Sequence, residues 1–238
     1  MVEQLTPCRV LAIAAHPDDI DFGAAGTIAA WTQVGAEVSY LILTDGAVGA
    51  LDPDSAPPDL AQVRRQEQID AAHEVGVEEV FFLDYPDGSL TVTPKLRKEI
   101  SAVIRRVKPD VVLAQSPERL WERIRASHPD HLAAGEAVVS AVYPDARNPL
   151  AYPELARAGL EAHVVKELWL MASPRPNRAV DVTGTFERKI AALLCHRSQV
   201  GDGEGLAERL KEMLKLQAQH FGLPEGALAE VFQVVDTR

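Results

Sequence analysis

The segment A-H-P-D-D-I-D at residues 15–21 places one histidine beside three carboxylates, Asp18, Asp19 and Asp21, directly after an apolar run. Crowded carboxylates repel one another unless a positive charge or hydrogen-bond donors compensate them. Three interpretations are open from this motif alone: a metal site, the N-terminal cap of a helix and an acidic turn. Capping is a serious alternative, because Asp is among the preferred residues at helix N-termini.

A second motif, S-H-P-D-H at residues 127–131, repeats the order histidine, proline, aspartate. Zinc in catalytic sites typically has three protein ligands, drawn from histidine and carboxylate side chains, and keeps one position for water. His16 and Asp19 lie in one short turn and can face the same ion, and His131 can complete the set. The pair of motifs therefore favours a metal centre over simple capping.

The other polar residues of the two motifs have the chemistry of proton transfer. Asp18 lies beside the expected ligands and can take a proton from water. His128 and Asp130 form a pair in which the carboxylate would orient the imidazole or raise its pKa. A charged His128 would stabilise an oxyanion or protonate a leaving amine. Asp130 as the N-cap of a following helix is the alternative, and the two roles are compatible.

The elements that must position these motifs alternate between strands and helices. Short β-branched apolar segments predict strands at 9–15, 37–43, 79–83 and 110–114, and helical spacing between them predicts helices at 24–34, 60–75 and 95–107. Such alternation is typical of right-handed βαβ units with a parallel sheet. We expect an α/β, Rossmann-like fold with helices on both faces and a metal site at the carboxyl edge of the sheet, where open sheets bind ligands.

The second half of the chain has a less regular pattern. A helix is predicted at 130–142 and an irregular excursion at 145–160, followed by strands at 164–171, 179–182 and 230–235 and helices at 186–196 and 205–221. We expect residues 1–238 to form a single domain.

Composition limits the classes of partner and compartment. The 238 residues carry a formal net charge of −11, so we expect no nucleic-acid partner. No apolar run approaches the ~18 residues of a membrane span, and the N-terminus lacks a signal-peptide pattern. The two cysteines, Cys8 and Cys195, lie in apolar surroundings and predict buried thiols in a reducing compartment. We therefore expect a cytoplasmic protein with a small-molecule substrate, and a homo-oligomer is left open.

The two histidine motifs, A-H-P-D-D and H-P-D-H, resemble those of the LmbE/PIG-L family of zinc-dependent N-deacetylases. Further similar segments are T-D-G at 44–46, R-x-x-E at 64–67, F-L-D-Y-P-D-G at 82–88, V-D-V-T at 180–183 and H-R-S-Q at 196–199. The resemblance extends over most of the chain.

This resemblance implies His16, Asp19 and His131 as zinc ligands. It also implies Asp18 as the general base, with His128 as electrostatic catalyst or general acid held by Asp130. Arg64 and Asp87 match positions that approach the polar substrate in relatives. The implied reaction is hydrolysis of an N-acyl group, in most relatives N-acetyl, on an aminosugar. Many relatives have Glu where this chain has Ala47, so a substrate contact at that position is missing here.

The metal ion, the activity and one loop each have a further prediction or alternative. One Zn²⁺ per chain is expected, although donor types alone leave Fe²⁺ or another divalent ion open. An amidase of a thiol–sugar conjugate is the nearest alternative activity. A non-catalytic Rossmann-like module for a nucleotide or cofactor is the alternative from another class, but H-P-D-D-I-D-F-G replaces the G-x-G-x-x-G phosphate loop. The proline- and acid-rich residues 51–59 are a candidate lid.

Overall fold

A seven-stranded sheet forms the centre of the computed structural model, which describes residues 7–50 and 59–238. The strands are β1 Arg9–Ala14, β2 Glu37–Thr44, β3 Glu79–Tyr85, β4 Val111–Gln115, β5 Glu167–Met171, β6 Arg178–Asp181 and β7 Ala229–Asp236. Their order is β3-β2-β1-β4-β5-β7-β6. Strands β1 to β5 pair in parallel, and β7 lies antiparallel between β5 and β6. The predicted mostly parallel α/β sheet is confirmed, whereas the candidate lid lies outside the described residues except for Asp59.

Helices cover both faces of this sheet. They are α1 Asp19–Gln33, α2 Leu60–Glu74, α3 Pro94–Val107, α4 Pro129–Ser140, α5 Pro153–Arg157, α6 Phe186–Cys195, α7 Arg197–Val200 and α8 Leu206–His220. Short 3-10 segments at Trp121–Ser127 and Thr183–Thr185 and a π-helical segment at Ala141–Ala146 connect some of them. Within residues 7–50 and 59–238, no helix combines the length and apolar character that crossing a bilayer requires.

Strand β1 is buried on both sides, which explains its uninterrupted apolar sequence. Val10 and Ala12 point into one apolar cluster, which α1, α2, α6 and α8 cover. Leu11 and Ile13 point into the opposite cluster, which α3 and α4 cover. The strand that leads into the first histidine motif is therefore held from both faces.

The carboxyl ends of β1 and β4 are adjacent, although the chain passes from β1 to β2 on the other side. This is a topological switch point, where open α/β sheets form a crevice. The backbone N–H of Ala15 donates to Gln115 Oε1 at 2.9 Å, and Thr44 Oγ1 donates to the Ala15 carbonyl at 2.8 Å. These bonds tie the ends of β1, β2 and β4 together directly before the first motif.

Helix α1 begins at Asp19, earlier than the predicted start at residue 24. Glycines near its start weaken the local helical signal, but close neighbours require them. A Cβ on Gly23 would lie 2.3 Å from Met171 Sδ, and one on Gly26 would lie 2.8 Å from Val182 Cβ. The early start makes Asp18 the residue that precedes the first helical turn.

The expectation of two buried thiols is wrong. Cys8 is exposed and Cys195 is half-buried. Burial raises the pKa of the Cys195 thiol to about 11, so that thiol is protonated at neutral pH. The predicted irregular excursion at 145–160 begins within the π-helical segment Ala141–Ala146 and contains the short helix α5.

A buried ion pair secures the first half of α1. Lys189 and Glu230 lie 2.7 Å apart, with side chains that are 0% and 2% exposed. The Lys189 ammonium also donates to the Asp21 carbonyl at 2.8 Å. The Glu230 carboxylate accepts from the backbone N–H groups of Gly26 and Thr27 at 3.1 and 2.7 Å. Both charges are thus bonded to the helix that carries the first motif.

We predict that Lys189→Met lowers the free energy of unfolding by about 3–5 kcal/mol, because it leaves the Glu230 carboxylate buried without its cation. Denaturant titration measures this change. Lys166→Met is the matched control, since Lys166 pairs with Asp110 at the surface and its loss should change stability by less than about 1 kcal/mol. Equal losses in the two variants would contradict the assignment.

Candidate active site

Three side chains from the two histidine motifs converge at the carboxyl edge of the sheet. His16 Nδ1 lies 3.2 Å from Asp19 Oδ2 and 3.2 Å from His131 Nε2. His131 Nε2 lies 3.0 Å from the other Asp19 oxygen. Zinc–nitrogen and zinc–oxygen bonds of about 2.0–2.2 Å place tetrahedral ligand atoms roughly 3.4 Å apart. The expected ligands therefore lie close to the separations that one ion requires.

The second nitrogen of His16 is held by acidic groups. His16 Nε2 lies 3.0 Å from Asp87 Oδ1 and 3.3 Å from Asp130 Oδ2. Carboxylates accept but do not donate when ionised, so His16 Nε2 carries a proton, and Nδ1 is the ring nitrogen that faces Asp19 and His131. This carboxylate–histidine pairing is the usual support for a metal-ligating imidazole.

His131 is oriented in the same sense by the backbone. Its Nδ1 lies 3.2 Å from the carbonyl oxygen of Ala126, which can only accept. The proton therefore lies on Nδ1, and the Nε2 lone pair points toward His16 and Asp19. Two imidazole nitrogens and one carboxylate thus face one point, where a bound metal ion would replace the Nδ1 proton of His16.

The electrostatics of this group favour an added positive charge. Burial lowers the pKa of His16, but hydrogen bonds and charges from Asp19 and Asp87 outweigh it and raise the pKa to about 10. Burial raises the pKa of Asp19, yet His131 and His16 hold it well below its usual value. Two neutral imidazoles and a carboxylate are a donor set that zinc accepts with one position left for water. The residues present fit a zinc ion.

The relation between His128 and Asp130 differs from the expected one. The Asp130 carboxylate accepts from the backbone N–H groups of Gly88 and Leu90 at 2.7 and 3.1 Å and faces His16. It is the backbone N–H of Asp130 that donates to His128 Nδ1, at 3.2 Å. His128 therefore caps α4 with its own side chain, and the carboxylate supports His16 instead.

This contact determines which nitrogen of His128 is protonated. Because Nδ1 accepts from the backbone, the neutral ring carries its proton on Nε2. Burial and the positive charge of His16 lower the pKa of His128; the Asp130 charge raises it, as expected, but does not outweigh them. A ring nitrogen of His128 lies within 4.8 Å of those of His16 and His131, so distance alone also admits a three-histidine set. Because its Nε2 carries a proton, His128 is better suited to donate a hydrogen bond than to bind the metal.

Asp18 occupies the position directly before α1 but does not cap the helix. Its Oδ2 lies 3.4 Å from Arg64 Nη2. Burial, together with the charge of Asp19, raises the pKa of Asp18 to about 7, although Arg64 opposes the shift. A carboxylate with such a pKa beside a ligand set has the properties of a general base at neutral pH.

Arg64 and Asp87, the predicted substrate contacts, both contact the protein itself. Arg64 is only 3% exposed and donates to the carbonyls of Gly46 and Pro17 at 2.9 and 2.6 Å. Asp87 supports His16 and accepts from the backbone N–H of Val48 at 3.1 Å. Both residues shape the loops around the site, and a direct contact of either with substrate stays a prediction.

Three polar residues near the site, Asp21, Gln68 and His196, were not assigned a role by the motifs. The Asp21 carboxylate accepts from Gln68 and lies against His196. The H-R-S-Q segment was the only sequence signal for His196, and no pattern indicated Gln68. Their partners lie on other elements, so local spacing could not identify them.

Known proteins resemble both the sequence and the fold. The profile of the PIG-L family, GlcNAc-PI de-N-acetylase, matches residues 11–142, which include both histidine motifs. The diacetylchitobiose deacetylase of Thermococcus kodakarensis is 35% identical over 222 residues, which cover 92% of this chain and 79% of that protein. The 1D-myo-inositol 2-acetamido-2-deoxy-alpha-D-glucopyranoside deacetylase of Rhodococcus erythropolis is 29% identical, with 94% and 93% covered.

A solved structure extends this similarity to three dimensions. The N,N'-diacetylchitobiose deacetylase from Pyrococcus horikoshii, complexed with its inhibitor MPG, superposes with a TM-score of 0.87 at 30% identity. The superposition covers 97% of this chain and 85% of that one.

We predict that His131→Ala weakens zinc binding by more than the roughly 10–100-fold loss expected when a supporting carboxylate is removed, as in Asp87→Asn. In the expected ligand set His131 would bind the ion directly, whereas Asp87 would orient His16 through its Nε2. Competition titration with a zinc chelator measures both affinities. His73→Ala, on the exposed side of α2, is the control, and a His131→Ala protein that binds zinc as tightly as this control would contradict the ligand set.

Proposed function

Because the chain belongs to the PIG-L family of de-N-acetylases, we propose that it is a metal-dependent hydrolase that removes an N-acetyl group from an aminosugar-type small molecule. The observation that carries this proposal is the convergence of atoms from His16, Asp19 and His131, with Asp18 next to Asp19 in the chain and under the influence of its charge. The names of the relatives, which act on N-acetylated sugars, support the same bond type.

We assign His16, Asp19 and His131 as the residues that hold the metal, with Zn²⁺ as the expected ion. When bound at such a site, zinc lowers the pKa of water and polarises a carbonyl group. Fe²⁺ is the principal alternative, since imidazole and carboxylate ligands suit several divalent ions. Metal analysis of the purified protein distinguishes them.

Asp18 is assigned as the general base. Its ionised carboxylate takes a proton from the attacking water as the oxygen adds to the amide carbon. The protonated Asp18 then returns this proton to the amide nitrogen as the carbon–nitrogen bond breaks, which gives an amine and acetate. Its pKa of about 7 allows both transfers near neutral pH.

His128 is assigned as the donor to the oxyanion. The Nε2–H, set by the backbone contact at Nδ1, can hydrogen-bond the carbonyl oxygen as negative charge develops on it. The lowered pKa keeps the ring neutral at pH 7, so this role needs no protonated imidazole. Asp130 contributes by holding His16 and by supplying the backbone N–H that orients His128.

The surroundings favour an N-acetyl sugar over a phosphate-bearing ligand. Asp18, Asp19 and Asp87 would repel a pyrophosphate, which disfavours the nucleotide-binding alternative. Ala47 and Val48 are exposed beside the site, so position 47 does not carry the carboxylate that many relatives have there. The identity of the sugar, a cytoplasmic location and a homo-oligomeric assembly stay predictions.

The direct test is a screen for amine and acetate release from N-acetylglucosamine, N,N'-diacetylchitobiose and N-acetylglucosaminyl inositol with the zinc-loaded protein. Release that depends on zinc and is lost in His131→Ala supports the proposal. A protein that retains about one zinc per chain but releases no amine from any substrate would overturn the assignment to sugar deacetylation.

We predict that Asp18→Asn retains zinc but lowers kcat by about 10²–10⁴-fold, the range that general-base catalysis supplies. The amide cannot accept the proton from water, while the ligands stay in place. Steady-state kinetics and metal analysis measure the two effects. Asp84→Asn makes the same chemical change at an exposed residue and should leave kcat unchanged. Near-normal turnover in Asp18→Asn would exclude Asp18 as the base.

The pH dependence follows from the ionisation of Asp18. Only the carboxylate form accepts a proton, and burial with the Asp19 charge raises its pKa to about 7. Activity should therefore fall as the pH drops through this pKa, and a bound cation moves the midpoint to lower pH. A profile of kcat/KM against pH measures this fall in activity at acidic pH. The fall should be absent in Asp18→Asn; if that variant shows the same fall, another group is responsible for it.

A further inference from the structure

Asp18 has an unusual backbone conformation for its position. Its φ of 94° lies in the left-handed region, which a residue with a Cβ adopts at an energetic cost. Asp before a helix usually accepts a hydrogen bond from the first helical turn, but Asp18 makes no such side-chain bond. The carboxylate is therefore free for other chemistry, and neighbouring groups must hold the backbone in this conformation.

The backbone N–H of Asp18 donates to a buried side chain of α2. The acceptor is Gln68 Oε1, at 2.9 Å. The amide nitrogen of the same Gln68 donates to Asp21 Oδ2 at 2.8 Å. An ionised carboxylate only accepts hydrogen bonds, so the Gln68 group that faces Asp21 must be the NH₂. The Gln68 oxygen therefore faces Asp18. Gln68 is 0% exposed, so water does not compete for these bonds.

A histidine from the junction of α6 and α7 completes the chain of contacts. His196 Nε2 lies 2.8 Å from Asp21 Oδ2, and both side chains are 0% exposed. Asp21 thus receives hydrogen bonds from two different elements and cannot rotate away from Gln68 without leaving a buried donor unpaired. The contacts link α1, α2 and the start of α7 behind the active site.

We propose that Gln68, Asp21 and His196 are positioning residues that hold the Asp18 backbone so that its carboxylate faces the attacking water instead of capping α1. This inference rests on the proposed function of Asp18 as general base. Arg64 contacts the Asp18 carboxylate directly, whereas Gln68 bonds to the Asp18 main chain and Asp21 and His196 in turn hold Gln68. The proposed effect of these three residues on catalysis is the placement of Asp18.

The first test is Gln68→Leu, which has similar volume and no hydrogen-bonding atoms. We expect kcat to fall about 10–100-fold, as for a catalytic group displaced by roughly 1 Å, with KM and zinc content within about twofold of wild type. Gln66→Leu is the matched control, since Gln66 is exposed on the same helix and bonds only to Asp70 among the described residues. A wild-type kcat in Gln68→Leu overturns the inference.

A double-variant cycle separates positioning from general loosening of the fold. In an Asp18→Asn background, Gln68→Leu should cause no further loss, because there is no base left to position. A loss of the same size in both backgrounds would show an independent structural role and overturn the inference. His196→Phe should lower kcat as well, and His196→Gln, which retains an N–H donor, should restore part of it.

The bond between Gln68 and the Asp18 backbone can also be tested without any substrate, and therefore independently of the proposed activity. Hydrogen exchange at the Asp18 amide, followed by NMR in the zinc-loaded protein, reports its bond to Gln68. We expect exchange to be at least about tenfold faster in Gln68→Leu than in wild type and unchanged in Gln66→Leu. Equal protection in all three proteins would overturn the positioning role. If wild type deacetylates no sugar but this exchange pattern holds, the proposed function alone fails.

Discussion

The arrangement of the active site depends on how the protein compensates the charges of several carboxylates buried around His16. Asp19, Asp87 and Asp130 all lie within 3.3 Å of the His16 ring. Removing ionised groups from water is costly unless opposite charges and hydrogen-bond donors replace the solvent. His16 alone cannot balance these acids, and the group favours a further positive charge at the point that it shares with His131.

Backbone donors provide much of the remaining compensation, and they come from loops at the same edge of the sheet. Gly88 and Leu90 donate to Asp130, and Val48 donates to Asp87. The loops can supply these donors because β1, β2, β3 and β4 are parallel neighbours whose carboxyl ends meet. The sheet therefore acts as the rigid frame that a preorganised site requires.

Three histidines lie together, yet their second contacts give them different properties. His16 and His131 each place one ring nitrogen against an acceptor and turn the other toward Asp19, as the proposed ligand set requires. His128 instead accepts from a backbone N–H and so presents a donor. Residue type alone does not separate a ligand from an oxyanion donor here, because the difference lies in the tautomer that each neighbour selects.

The sequence by itself determined the residue types of the site and the elements that carry them. Periodicity is a local property, so it predicted strands β1 to β4 and the order of helices between them, and the paired motifs predicted which residues would meet. Only the tertiary structure decided the start of α1, the turn of the Asp130 carboxylate toward His16 and the burial of Arg64. These outcomes depend on partners that lie far apart in the chain, 114 positions for His16 and Asp130 and 204 for Gly26 and Glu230, whose contacts exist only once the strands are in register. Local sequence patterns predict which side chains are buried. Which hydrogen-bond partner each side chain has depends on loops that are distant in sequence and meet only in the folded protein.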